Sequence, residues 1–301
     1  MADRIQLGAG LPLGDIGGEP QTVIAYAQAC EAMGYDHLCG TDHVLGVNAA
    51  SRPNWGNRNT SKDYFHDPFV LFGFLAAATK SIGFSTQVLI LSQRQTVLVA
   101  KQAACIDVLS GGRLRLGIGI GWNEAEFVGL NEDWSTRGIR SAEQVQVMRK
   151  LWADEHVDFK GRWHEIPDAG INPRPANGRI PVWFGGHHPN SIKRTAELGD
   201  GWMMLEHPPG EDAVKSFDNL KSLMQEAGRD PAQMGLEVWM SAVGDPEEWR
   251  EEVRFWKQAG VTHITCNNTY KRYTHKRIPD RSFAAHISAL ETFIDAVQDE
   301  L

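Results

Sequence analysis

The stretch Ile180-Pro-Val-Trp-Phe-Gly-Gly-His-His-Pro-Asn-Ser-Ile-Lys-Arg-Thr-Ala-Glu-Leu-Gly-Asp-Gly-Trp202 decides how the rest of the chain is read. Residues 181–184 form a short apolar run bounded by turn residues, the pattern of a buried strand. Gly185 and Gly186 let the backbone turn and approach a partner with no Cβ in the way. Pro189 suits the first position of a helix, and Gly199 sits where a helix-ending glycine belongs. Gly201 and Trp202 begin another strand. The N-terminus of such a helix favours an anion, and a phosphate is the natural candidate. His187 and His188 add hydrogen-bonding groups to the same turn. A glycine turn kept only for packing is the competing account.

The strand–turn–helix rhythm extends in both directions. Strands are expected at residues 5–11, 37–40, 82–91, 114–120, 181–184, 201–205, 235–243 and 261–266. Helices are expected at 23–33, 68–79, 97–109, 212–227, 246–258 and 283–297, besides the one that Pro189 opens. Between 122 and 179 the rhythm breaks. That region carries one amphipathic helix, with Ile139, Ala142, Val145, Met148, Leu151 and Trp152 assigned to one side, and then a Gly- and Pro-containing loop. Eight strand–helix units in 301 residues predict an α/β fold, a (β/α)8 TIM barrel in one domain over residues 1–301, with an insertion after strand four. A long loop at 45–66 is the other departure from short connections.

The totals narrow the function. A net charge of −8 argues against non-specific nucleic-acid or anionic-membrane binding. No run of about 18 apolar residues exists to span a membrane, and the first residues do not pattern as a signal peptide. Cys30, Cys39, Cys105 and Cys266 form no C-x-x-C pair and read as reduced thiols of a cytoplasmic protein.

In a barrel the residues just past the C-terminal strand ends line the active site. That rule selects Asp42 and His43 after strand two, Gln87 on strand three, and Gly121, Trp122, Asn123, Glu124 and Glu126 after strand four. It adds Gly185, Gly186, His187 and His188 after strand five, Glu206 and His207 after strand six, and Asn267 and Asn268 after strand eight. His43 could be a proton-transfer residue, a hydrogen bonder to a cofactor ring, a metal ligand or a packing residue. His43, His66, His187, His188 and His207 carry no metal-site spacing, so no metal is expected. Gly117-x-Gly119-x-Gly121 lies in or at the end of a strand with no helix opening cleanly after it, and so fails as a dinucleotide fingerprint. Trp55, Trp122 and Trp183 could flank a planar ligand. No serine sits in a G-x-S-x-G elbow.

Taken together, the motifs resemble the bacterial luciferase-like monooxygenase superfamily. The matching stretches are Leu109-Ser-Gly-Gly-Arg-Leu-Arg-Leu-Gly-Ile-Gly-Ile-Gly-Trp-Asn-Glu-Ala-Glu-Phe127 and the Trp183–Trp202 part of the stretch above, with Thr41-Asp42-His43, Gln93-Arg94 and Ala100-Lys101-Gln102. The pattern is most similar to the branch that uses coenzyme F-420, a deazaflavin; other branches bind FMN. The resemblance implies a barrel with the cofactor ring at its C-terminal mouth, near Asp42, Gly121 and Trp122. It also implies a ring contact at Gln87-Val88, where relatives carry a cis peptide, and a phosphate on the 185–188 turn. His43 aligns with the proton-transfer histidine of related deazaflavin-dependent dehydrogenases. Their acidic partner after strand four is Trp122 here, with Glu124 and Glu126 nearby, so a sugar-phosphate substrate is not carried over.

The expectation is therefore hydride transfer to or from a small organic substrate, in a space shaped by Trp55, Glu126 and His207. The alternatives are an FMN-dependent monooxygenase served by a separate flavin reductase, and a non-catalytic ligand-binding barrel. Apolar helices such as residues 69–78 are compatible with a homodimer.

Overall fold

The computed structural model describes residues 4–205, 207–271 and 275–301. Its strands are β1 Gln6–Gly10, β2 His37–Gly40, β3 Gly83–Thr86, β4 Leu89–Ile90, β5 Leu114–Gly119, β6 Val157–Lys160, β7 Glu165–Ala169, β8 Val182–Gly185, β9 Gly201–Met203, β10 Gly235–Met240 and β11 His263–Cys266. Its α-helices are α1 Leu13–Ile16, α2 Pro20–Met33, α3 Pro68–Ala78, α4 Thr96–Ser110, α5 Glu124–Gly129, α6 Arg137–Ala153, α7 Pro189–Leu198, α8 Glu211–Glu226, α9 Pro246–Gln258 and α10 Phe283–Val297.

Local chemistry sets the helix ends. Proline opens α2, α3, α7 and α9, where a missing N–H costs nothing. Asp67 caps Phe69 and Val70 at the start of α3, and Asp245 forms a capping box with Glu248 at the start of α9.

The main sheet runs β3-β2-β1-β11-β10-β9-β8-β5-β4, all parallel, and β3 also pairs with β5. That last pairing closes the sheet, with Phe84 opposite Leu114. β3 and β4 together occupy one position of the barrel, so the result is a (β/α)8 TIM barrel, as expected. The peptide between Gln87 and Val88, where β3 passes into β4, is cis, as the family resemblance implies; Asn172–Pro173 is also cis.

Four local expectations needed correction. Between 122 and 179 there are two helices, because Asn123 caps α5 directly after the Gly121 turn. The loop expected after the fourth-strand region contains an antiparallel hairpin, β6 with β7. Ile139 is 63% exposed on α6, whose buried side instead adds Ser141, Gln144 and Val147 to Val145, Met148, Leu151 and Trp152. Gly199 does end α7, but in extended rather than left-handed backbone.

The two-residue period of the strands sorts the barrel into two environments. Leu7, Leu38, Phe84, Leu116, Val182, Trp202, Val238 and Ile264 join the apolar core shared with the helices. The alternating positions His37, Cys39, Gln87, Arg115, Glu237, Trp239 and Thr265 contact one another across the barrel. A barrel interior is usually filled with branched apolar side chains; much of this one is hydrogen-bonded. Gly117 is needed there, since a Cβ would lie 2.0 Å from the Thr86 carbonyl oxygen. The four cysteines are free thiols. No helix among the described residues is long and apolar enough to cross a membrane.

Candidate active site

Asp42 follows β2 and is 3% exposed. Its Oδ2 accepts from the Ile90 N–H at 2.9 Å, and Arg94 donates to Oδ1 at 2.7 Å and Oδ2 at 3.3 Å. Arg94 also pairs with Asp67 at 2.9 Å. Burial opposes the Arg94 charge, but Asp42 and Asp67 outweigh it and raise the guanidinium's pKa. Asp42 therefore ties the end of β2 to the chain just beyond Gln87-Val88.

His43 is mostly buried, with its Nδ1 3.2 Å from Glu126 Oε1. The same oxygen accepts from the N–H groups of Val44 at 2.9 Å and Leu45 at 3.2 Å. An oxygen that takes two backbone donors is an acceptor, so Nδ1 carries the proton and Nε2 is the basic nitrogen. Glu126, expected to shape substrate space, is 1% exposed and lies behind His43 as its partner. Phe65 and Trp122 pack edge-on against the imidazole, with centroids 4.8 and 5.5 Å away. Trp122 in turn meets Trp55 at 5.7 Å, and Arg58 lies over both indoles. The 45–66 loop thus brings Phe65 onto His43 and Trp55 onto Trp122.

Gln87 is held from below. Its Nε2 donates to Glu237 Oε1 at 2.5 Å and to Thr265 Oγ1 at 3.3 Å, and its Oε1 accepts from the Trp239 indole at 2.8 Å. Trp239 packs on Tyr270 at 4.9 Å. Glu237 is fully buried and also takes the Thr265 hydroxyl at 2.6 Å and an ion pair with Arg115 at 2.9 Å. Burial would raise its pKa, but Arg115 and then His37 pull it well below the usual carboxylate range. Burial and the same Arg115 charge push His263 down to about 2. His37, Cys39 and Glu237 bring three potential ligand atoms within 4.8 Å of one another, the one such group among the described residues. Arg115, Gln87 and Thr265 already occupy the carboxylate, and burial raises the Cys39 thiol pKa, so the chemistry is that of a hydrogen-bonded cluster.

Beside Gln87-Val88 the neighbouring strand ends are glycines that make room for the Val88 and Ile90 side chains. A Cβ on Gly119 would come 2.5 Å from Val88 Cγ2, one on Gly185 3.1 Å from Val88 Cγ1, and one on Gly121 2.8 Å from Ile90 Cγ2. Gly121 and Gly186 have φ of +76° and +106°. His187 leans on Trp202 at 5.8 Å and on His207 at 6.4 Å, which places the sixth-strand histidine beside the glycine turn. The Trp202 indole donates to the Gly186 carbonyl at 3.1 Å. The terminus of α7 is not the bare donor set that the sequence suggested. His188 Nδ1 accepts from the Asn190 N–H at 3.2 Å, and the His188 carbonyl takes the N–H groups of Ser191 and Ile192. The Ser191 side chain lies next to Gly186, with Oγ 3.4 Å from where its Cβ would stand.

Other candidates fall elsewhere. Asn268 accepts from the Ala242 N–H and Asn267 from that of Thr269, so both brace loops. Glu206 lies outside the described residues. His66 packs on Tyr64, away from the other histidines weighed as ligands. Sequence reasoning missed Glu237, Arg115, Trp239 and Tyr270. The signal available was a lone Glu and a lone Arg inside otherwise apolar strands, charges that burial permits only when paired.

The family model for luciferase-like monooxygenases matches residues 5–289. The chain belongs to this family. The luciferase-like chain is 28% identical over 249 residues to an F-420-dependent glucose-6-phosphate dehydrogenase of Amycolatopsis mediterranei, covering 79% of this chain and 70% of that one. In fold it is similar to an F-420-dependent secondary alcohol dehydrogenase solved with an F-420–acetone adduct, at a TM-score of 0.74, 21% identity and coverage of 98% and 99%. It is also similar to a monooxygenase of Streptomyces bottropensis, at a TM-score of 0.73, 17% identity and coverage of 96% and 98%. At these identities the solved structures speak to the luciferase-like fold alone.

Proposed function

We propose that this protein is an oxidoreductase that uses coenzyme F-420 for hydride transfer to or from a small organic substrate at the C-terminal mouth of the barrel. The observation that carries this reading is the His43–Glu126 pair just past the end of β2, on the same strand-end face of the barrel as Gln87-Val88, Gly121 and Gly185. The deazaflavin, when bound, supplies a two-electron hydride carrier. The relative that is a deazaflavin-dependent dehydrogenase supports the same cofactor.

The chain's own residues do the rest. Asp42 and Arg94 brace the segment that meets the ring, and the Glu237–Gln87–Trp239 bonds turn the Gln87 amide inward. The cofactor's phosphate is assigned to the 185–188 turn, with the Ser191 hydroxyl as a further donor. His43 Nε2 would hold or move a proton at a substrate oxygen, and Glu126 would stabilise the imidazolium so formed. Trp55, Trp122 and Phe65 exclude water from one side, and His207 stands at the other. The 720 Å³ cavity at the opposite end of the barrel, lined by Trp183 and His263, plays no part in this.

FMN is the alternative cofactor, since a riboflavin lyase solved with a modified FMN is similar in fold at a TM-score of 0.69. Fluorescence titration with each cofactor tests the choice. Steady-state reduction of small ketones by reduced F-420 then tests the reaction.

A further inference from the structure

A second constellation lies outside the mouth, on residues that the reading above does not use. Thr96 opens α4, Glu143 lies on α6, and His164 stands in the β6–β7 turn. Thr96 Oγ1 is 2.6 Å from His164 Nε2, and His164 Nδ1 is 2.8 Å from Glu143 Oε1. Glu143 also accepts the backbone N–H groups of Arg162, Trp163 and His164. Burial would raise its pKa, but these donors and the His164 bond outweigh it and hold the carboxyl low. Glu143 is thus an ionised acceptor and His164 Nδ1 the donor. His164 Nε2 is then the acceptor, and the Thr96 hydroxyl must donate to it. Hydroxyl, imidazole and carboxylate stand in the order and at the distances of an activated nucleophile.

The surroundings suit acyl transfer. Thr96, His164, Gln144 and Arg140 line a cavity of about 390 Å³ whose apolar walls are Val97, Leu98 and Trp163, with Arg94 the one lining residue shared with the cofactor reading. Gln144 Nε2 donates to Thr96 Oγ1 at 3.0 Å, which fixes the hydroxyl rotor. Gln95 gives α4 no side-chain cap, so first-turn N–H groups at Val97 and Leu98 can meet a carbonyl oxygen that gains negative charge.

We propose that Thr96, His164 and Glu143 form an esterase site for small carboxylic esters, separate from the cofactor mouth. Thr96 Oγ1 bonds to the ester carbonyl carbon as its proton passes to His164 Nε2. The carbon–alkoxide bond then breaks, and the alkoxide takes that proton and leaves as the alcohol. Water attacks the acyl-threonine, gives its proton to His164, and the carboxylic acid departs as Thr96 regains the proton. Thr96 and His164 are the catalytic residues, and Glu143 positions the imidazole.

The test uses the full-length protein and p-nitrophenyl acetate. The wild type should release p-nitrophenolate above the buffer rate, and peptide mass spectrometry should find acetyl on Thr96. Thr96→Val should lose that adduct and roughly a hundredfold of the rate, while Thr96→Ser retains activity. Glu143→Gln should lower the rate and move the acidic limb of its pH profile to lower pH, which a merely structural bond to the hairpin does not do. F-420 affinity should be unchanged in Thr96→Val, which separates this site from the cofactor reading. Should Thr96→Val fold poorly, the position of the acetyl group in the wild type decides. Acetyl found only on other residues, or a Thr96→Val rate equal to wild type, would overturn the proposal.

Discussion

His43 Nδ1 and Glu126 Oε1 stand 3.2 Å apart, and the Glu126 side chain is almost wholly buried. The carboxylate accepts from the imidazole and also anchors the chain after β2 through the Val44 and Leu45 N–H groups. Glu126→Gln keeps the shape but weakens support for the imidazolium. Turnover with F-420 should fall by roughly ten- to a hundredfold with cofactor affinity nearly unchanged. Steady-state kinetics beside a cofactor titration checks the split.

Inside the barrel, the Arg115–Glu237 pair is buried, and Gln87 hangs from the same carboxylate. Removing one partner leaves the other charge uncompensated. Arg115→Met should cost about 3–5 kcal/mol of stability, measured by chemical denaturation. Glu237→Gln should in addition weaken F-420 binding, because Gln87 loses its charged anchor.

The glycine turn offers a sharper separation of fold from binding. Gly186 is exposed at φ +106°, so Gly186→Val places a branched side chain in strained backbone beside Ser191. Cofactor affinity should drop at least tenfold by titration, roughly the loss of one charge-assisted hydrogen bond. Ser191→Ala should weaken binding less and leave the thermal midpoint close to wild type.

Glu252 on α9 governs a pH dependence unrelated to catalysis. Burial raises its pKa from the ordinary 4.5 to about 7, against the opposing bond from the Trp256 indole at 3.0 Å. The folded state therefore holds this proton more tightly than the unfolded chain. Its stabilising effect is complete below pH 4.5 and is lost as pH rises through 7. The full span is worth up to about 3 kcal/mol. Glu252→Gln should flatten stability between pH 5 and 8, as followed by urea unfolding.

The barrel was legible in the sequence because its parallel strands are short apolar runs, punctuated by glycine and by helix caps such as Asp67-Pro68 and Asp245-Pro246. Strand three shows the limit: residues 82–91 read as one run, yet the chain passes from β3 to β4 at Gln87-Val88. Residue periodicity cannot register a change in peptide geometry; only the family resemblance anticipated it. Site positions at strand ends were legible for the same topological reason. Their partners were not. Glu126 reaches His43 across 83 positions, Glu237 reaches Gln87 across 150, and His164 reaches Thr96 across 68. Such pairs are created by barrel closure and by how the insertion folds back. Nor could the sequence show that the His188 ring turns back to accept from the Asn190 N–H of its own helix.

The central claim is a deazaflavin seat between Gln87-Val88 and the 185–188 turn. Parallel fluorescence titrations of the purified protein with coenzyme F-420 and with FMN address it most directly. The account predicts saturable F-420 binding that Gly186→Val weakens, with FMN binding weaker or absent. Preferential FMN binding, or no binding of either cofactor by the folded protein, would contradict it.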